Sequence, residues 1–368
     1  MAAAIRTRWP GTKVLFATGS PVARAFLPAG VGLAALPTYP IVSDNLALPA
    51  LRELKEQRSA LIELRQRLLL DAVREFRPRV ALIDHMPLGK RNELLPAILE
   101  LRDQNAKLLL GYRRMAEDAA ATRSLLGHQP VRQALEEHFA AVLVYAPAWI
   151  RDRLGPLPGV DVAQVHVGFV CRQCSSSAAA ARRVLGLSSD QTVFACGLGG
   201  GRHAWALARS VLEAWSNAHS PDKQLLLYLG PMLDPDQNEL DALTRRPGVR
   251  VIRHSTEFPL GIAAADAVVS TGGYNSVLEC LRQGRRLFII PNQRTEVEQE
   301  RSAELLAELA LADVIRQEEG WQYVLEKAFA SPLDRQERPR LCEADFGGEL
   351  RTADLVGEYA AAELLAAG

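Results

Sequence analysis

Two short stretches of this 368-residue chain combine glycines and polar side chains in an order suited to holding an anion: Gly197-Leu-Gly-Gly-Gly201 and Ser270-Thr-Gly-Gly-Tyr-Asn-Ser-Val-Leu-Glu279. The first lies between an apolar run, Thr192-Val-Phe-Ala195, and a helical pattern from Trp205 to Trp215. Glycines in such a place let backbone N–H groups approach an anion, and the start of the following helix adds a favourable dipole. Gly199, Gly200 and Gly201 are therefore phosphate candidates. A dinucleotide fingerprint is excluded, because Arg202 stands at its last glycine position and no acidic residue is suitably placed beyond. The second stretch follows the run Ala267-Val-Val-Ser270 and opens a helix that reaches about Gln283. Helix capping, which contributes roughly 0.5–2 kcal/mol, accounts for Ser276. It does not account for two glycines, an aromatic residue and a glutamate at these offsets together.

Asp84 and His85 close another apolar run, Val80-Ala-Leu-Ile83. In open α/β sheets the carboxyl ends of strands face the ligand crevice, so both residues are candidates for accepting a proton. The competing roles are a helix cap for Asp84 and a packed turn for His85. His128, His138 and His219 fall on polar surfaces of expected helices or at their ends. Cys171 and Cys174 form one C-x-x-C, but no second pair or nearby histidine completes a zinc set. Five cysteines are an odd number in a long chain, which suits reduced thiols.

The elements that must position these residues alternate. Lys13 to Ala17 reads as a strand ending at Thr18-Gly-Ser-Pro21, and Ala47 to Phe76 as a helix with leucines at three- and four-residue steps. The leucines from Leu64 to Leu70 are expected in the core by that periodicity. Strands follow at 80–83, 107–110, 141–145 and 165–169, with helices between them. Cys171 to Ala181 breaks the pattern with Cys, Ser and Ala. The alternation restarts with strands at 192–195, 225–229, 249–252, 267–270 and 287–290. Strands alternating with helices imply parallel, doubly wound sheets. We accordingly expect an α/β chain with an N-terminal domain at 1–170, a linker at 171–181 and a second α/β domain at 182–349. A C-terminal helix at 350–368 is free to return to the N-terminal domain.

Composition sets outer bounds. Hydrophobic residues make up 48% and charged residues 23%, the balance of an ordinary globular protein. Lys+Arg and Asp+Glu are both 43, so no overall field draws in nucleic acid or an anionic membrane. Charges interrupt every apolar run before it reaches bilayer-spanning length. The segment Met1 to Pro10 carries Arg6 and Arg8 with no apolar stretch of signal-peptide type after it, so the expected location is the cytoplasm.

Gly273-Tyr-Asn-Ser-Val-Leu-Glu279 resembles the donor-binding signature of glycosyltransferase families 28 and 1, which in many members reads Gly-Trp-Asn-Ser-x-x-Glu. Glu298-Gln-x-x-Ser-Ala303 is similar to the Asp-Gln-x-x-Asn-Ala that follows it in those families. Gly19-Ser-Pro21 and Asp84-His-x-Pro-Leu-Gly89 are also shared with bacterial predicted glycosyltransferases related to the enzyme that adds N-acetylglucosamine to lipid-linked muramyl peptide. The resemblance implies GT-B architecture, two Rossmann-like domains facing a cleft, with the donor bound mainly by the C-terminal domain and the acceptor by the N-terminal one. On matching positions it gives Glu279 the ribose hydroxyls, and the amides of Gly272, Gly273, Asn275 and Ser276 the diphosphate. Glu298 and Gln299 take the donor sugar, and the segment His254 to Pro259, with Phe258, lies against the base. His203 and His254 are placed near donor groups. No cofactor or metal is implied, since the nucleotide sugar is itself a substrate and amide donors can stabilise the departing diphosphate. The implied partners are a nucleotide-sugar donor, with a UDP-sugar such as UDP-N-acetylglucosamine the leading choice, and a small-molecule or lipid-linked acceptor. The family's usual outcome is inversion at the anomeric carbon.

Three positions depart from the resemblance. Arg24 stands in the loop Gly19-Ser20-Pro-Val-Ala-Arg24 where closer relatives carry histidine, and arginine is no base at neutral pH. Arg24 either pairs with donor phosphate or faces solvent. Arg113-Arg114 replaces an Arg-Asp of relatives, and Thr271 stands where many plant relatives have a phosphate-binding histidine. Asp84 and His85 then remain the best proton acceptors. Two other classes stay open at this point: a nucleotide-sugar hydrolase or epimerase on the same fold, and a non-catalytic donor-binding or partner subunit.

Overall fold

The computed structural model describes residues 1–39, 48–115, 119–172, 174–199, 204–218, 220–230, 238, 241–242, 245–253, 257–291, 297–333 and 341–366. The chain divides into two compact units, one made of residues 1–114, 119–170 and 347–368, the other of residues 115–118 and 171–346.

In the first unit, β1 (Leu15–Thr18) and β2 (Gly32–Ala35) form a parallel pair. A separate parallel sheet runs in the order β3 (Val80–Asp84), β4 (Lys107–Arg113), β5 (Phe139–Tyr145) and β6 (Gln164–His166). β4 and β5 are apolar on both faces, with Leu108–Leu110 and Ala141–Val144 essentially inaccessible, as buried parallel strands require. The helix Leu48–Phe76 ends where Arg77, at φ 47°, precedes Pro78. Its leucine pattern is misleading by one position. Leu64 and Leu68 are 38% and 36% exposed, because the stripe turned inward is Arg65, Leu69 and Val73. Leu69 meets Leu36 and Ala97, the latter on the helix Leu95–Asp103. The unit closes with the helix Gly348–Ala366, whose Ala353 packs on Ala4 and Ile5 of the helix Ala2–Arg8. Trp9 Nε1 donates to Ala353 O at 2.9 Å.

The second unit contains six parallel strands in the order β12 (Asp313–Val314), β11 (Arg286–Ile289), β10 (Ala267–Ser270), β7 (Thr192–Gly197), β8 (Lys223–Leu229) and β9 (Val249–Arg253). This is the doubly wound order, and the chain direction across the sheet reverses between β7 and β10. The helix Ala204–Ala218 buries Leu207, Val211, Leu212 and Trp215 at helical spacing. Trp215, Phe194 and Phe329 meet edge to face, with ring centroids 5.1–5.8 Å apart.

The segment expected as a linker contains the start of a helix, Ala178–Leu185. Its serines and alanines are a cap and a first turn: Ser177 Oγ accepts from Ala180 N–H at 3.2 Å, and Gly186 ends the helix at φ 63°. Among the described residues no helix is long and apolar enough to cross a membrane.

Candidate functional site

The two glycine stretches leave neighbouring strands. Ser270 at the end of β10 pairs in register with Gly197 at the end of β7, so both loops start at the carboxyl edge of the sheet where its winding reverses. That is where open α/β sheets bind ligands. Gly272 has φ 88°, and a β-carbon there would also stand 3.0 Å from Ile289 Cγ2. The backbone conformation favours glycine, and a side chain there would also press on Ile289. The same point lies 3.8 Å from Gln299 O, so the start of the helix Val297–Glu308 closes on this turn. A β-carbon at Gly199 would stand 3.8 Å from Thr271 Oγ1, which brings the first loop against the second.

The helix Tyr274–Arg282 begins after Gly273, and no side chain caps its N-terminus. Gly272 N–H donates to Ser270 Oγ at 3.3 Å. Asn275 is exposed and Ser276 half-buried in the first turn. Gly200, Gly201, His203, His219 and His254 lie outside the described residues, as does the side chain of Glu298. Phe258 opens the helix Phe258–Ala264, and its ring fills the space where a β-carbon on Gly197 would be. It also meets the ring of Tyr228, 5.0 Å away and inclined by 62°. Burial raises the Tyr228 hydroxyl to about 12, so it stays protonated.

Glu279 lies on the inner face of its helix beside Val277, Leu278, Cys280 and Leu281, and is 2% exposed. Arg172 reaches it from the segment before Ala178, with Nε donating to Oε1 at 2.6 Å and Nη2 to Oε2 at 3.2 Å. Burial pushes the carboxyl upward, Arg172 opposes this, and the net displacement is upward. No local pattern pointed to Arg172. The Cys171 and Cys174 thiols are unoxidised. Their segment is held to the same helix: Arg282 Nη1 lies 3.7 Å from Cys171 Sγ, and Gln283 Nε2 donates to Cys174 O at 2.9 Å.

In the first unit Asp84 ends β3, and its exposed carboxylate accepts from Arg113 Nη2. His85 adopts φ 65°, donates its N–H to Gly111 O at 2.7 Å and stacks on Tyr112 with centroids 5.0 Å apart. Tyr145 fills the space beside Gly111, and burial, then the Asp84 charge, pushes its hydroxyl well up.

Gly19 and Ser20 follow β1. Gly19 O accepts from Thr38 Oγ1 at 2.7 Å, and Ser20 N–H donates to Thr18 Oγ1 at 3.2 Å. A β-carbon at Gly19 would come within 2.5 Å of Arg65 Nη1, so the close approach of a guanidinium explains this glycine. Arg24 is exposed in the short 3-10 helix Ala23–Phe26. Arg65 itself is 6% exposed and paired with the equally buried Glu93, Nη2 to Oε1 being 2.9 Å. Arg65 also donates to Pro37 O, and Tyr39 donates to Glu93. This cluster ties the segments after β1 and β2 to the long helix. Burial would raise the Glu93 carboxyl, but hydrogen bonds from Arg65 and Tyr39 outweigh it and hold Glu93 below the usual value. Burial, then the bond to Glu93, lifts the Tyr39 hydroxyl to about 12.

Two Rossmann-like parallel α/β units, the second with glycine turns at its switch point, define the GT-B class of fold. The solved structure of CalG4, the calicheamicin glycosyltransferase, matches with a TM-score of 0.63 and 18% identity, over 98% of this chain and 94% of that one. A UDP-glucosyltransferase from Polygonum tinctorium matches at 0.59 and 14%, over 98% and 95%. MurG of Acinetobacter baumannii matches at 0.55 and 14%, over 97% and 94%. Residues 195–341 match the glycosyltransferase family 28 C-terminal domain. No curated protein matches the sequence. Residues 195–341 thus resemble the C-terminal domain of family 28 glycosyltransferases, and the chain has the GT-B fold.

Proposed function

We propose that this enzyme moves a sugar from a nucleoside diphosphate, with UDP as the leading carrier and UDP-N-acetylglucosamine as a leading donor, to a hydroxyl or amine. The observation that carries the reading is the turn after β10: a glycine at positive φ, a helix start with no side-chain cap and a buried carboxylate within one ten-residue stretch, at the sheet's switch point. Amides of Gly272, Gly273, Asn275 and Ser276 would hold the diphosphate, with Gly199 to Gly201 alongside. Glu279 would accept from the ribose hydroxyls, Phe258 would lie by the base, and Glu298 and Gln299 would bind the sugar.

In the proposed step the acceptor oxygen or nitrogen attacks the anomeric carbon as the bond to the β-phosphate oxygen breaks. The electron pair leaves with the diphosphate, where the helix start and backbone amides oppose the growing charge without a metal. The acceptor's proton passes to a base, for which Asp84 and His85 at the end of β3 are the candidates in the first unit. The acceptor is a small molecule or a lipid-linked one, taken up by the first unit.

The reading is tested by incubating the protein with UDP-N-acetylglucosamine, UDP-glucose and dTDP-glucose over a panel of phenol, amine and lipid-linked acceptors, with and without EDTA. Transfer that survives EDTA and gives a product of inverted anomeric configuration by NMR is expected. EDTA-sensitive or retaining transfer would contradict it.

A further inference from the structure

The buried carboxylate assigned to ribose already has a partner. Arg172 meets Glu279 with two donors on two oxygens, at 2.6 and 3.2 Å. A guanidinium fork and the neighbouring hydroxyls of a ribose make the same kind of demand on a carboxylate: two donors, closely spaced, along one edge. Glu279 has a side chain 2% exposed, whereas that of Arg172 is 47% exposed, so the solvent-facing partner of this carboxylate is the guanidinium.

We propose that Arg172 occupies the ribose subsite of the donor-free protein, and that donor binding exchanges its guanidinium for the 2′- and 3′-hydroxyls. The inference rests on the donor reading of Glu279 given above. An ionised carboxylate buried without a partner is costly, so the subsite needs a stand-in when no donor is bound. Arg172 supplies one, on a side chain that is about half exposed. Its backbone is anchored on either side, through buried Cys171 against Arg282 and through Cys174 O against Gln283, both from the Glu279 helix or its end. The exchange therefore requires rotation of one half-exposed side chain and no change in the sheet.

The test uses uridine, which carries the ribose without phosphate, so that a released guanidinium gains nothing from the ligand. Uridine and UDP are titrated at pH 8 by NMR and calorimetry into wild type, Arg172→Met, Glu279→Gln and the double variant. Arg172→Met is expected to bind uridine about two- to fivefold more tightly than wild type, the range for loss of a partly exposed competing ion pair. The gain is expected to vanish when Glu279→Gln is already present. Equal or weaker uridine binding by Arg172→Met would overturn the exchange. Should that variant fail to melt cooperatively, Arg172→Lys replaces it, since lysine keeps the charge but not the fork. A smaller gain in the same direction is expected from it, and no gain would be equally contrary. Failure of the underlying reading looks different: wild type would bind no UDP, or bind it no better than Glu279→Gln does.

Discussion

Arg65 and Glu93 show how a few side chains set the local geometry of the first unit. Both are nearly inaccessible and each is the other's principal partner, so removing one strands a buried charge. Glu93→Leu or Arg65→Met is expected to cost about 3–5 kcal/mol in urea unfolding followed by the fluorescence of Trp9. The pH dependence has a definite sign. Glu93 binds a proton less readily folded than unfolded, so its contribution is complete above the unfolded carboxyl value, 4.5, and is lost as pH falls through the lower folded one. Wild type should lose more stability than Glu93→Gln between pH 5 and pH 3. In the second unit, Gly272→Ala puts a β-carbon at φ 88° and 3.0 Å from Ile289, at a backbone cost of about 1–2 kcal/mol. UDP binding should fall far more than the melting temperature of that variant. Glu279 and its glycines could be singled out in the sequence because they lie within one stretch whose order carries meaning. Arg65 and Arg172 could not: their carboxylate partners are 28 and 107 residues away, and no period or short motif reports a pair at such separation.

At the level of elements, legibility followed the strength of local patterning. The strand 267–270 was read to the residue, and β7, β8, β9 and β11 to within a few, because continuous apolar runs bounded by glycine or charge have few alternatives. β2 and β12 are four and two residues long and carry no usable period, so they passed unseen. The helix Ala178–Leu185 is hidden in the sequence because the cysteines and serines before it read as a break and its first turn is all alanine, although alanine is the best helix former. Its cap is testable: Ser177→Ala should lower the stability of the second unit by about 1 kcal/mol in urea titration. The Trp215–Phe194–Phe329 cluster is the opposite case. Phe329→Ala leaves a cavity under three elements and should cost about 3–5 kcal/mol by the same measurement.

At the scale of the whole chain, equal numbers of basic and acidic residues leave no general attraction for an anionic donor, so recognition falls to local groups such as the turn after β10. The final helix belongs to the first unit although it follows the second in sequence. Ala353 and Thr352 are fully buried there, Gly348 N–H donates to Phe169 O at 3.0 Å, and Arg351 Nη1 donates to Val167 O at 2.8 Å. Removing residues 347–368 should therefore abolish the cooperative melting of the first unit while the second still binds UDP. Periodicity identified a helix there, but its destination depended on contacts with residues nearly the whole chain away. The central claim is that the second unit holds a nucleotide through Glu279, and calorimetric titration of UDP and dTDP into wild type and Glu279→Ala tests it most directly. Micromolar binding of one nucleotide by wild type, weakened at least about tenfold in the variant, is the predicted result. Binding that is absent in wild type, or unchanged in Glu279→Ala, would contradict the account.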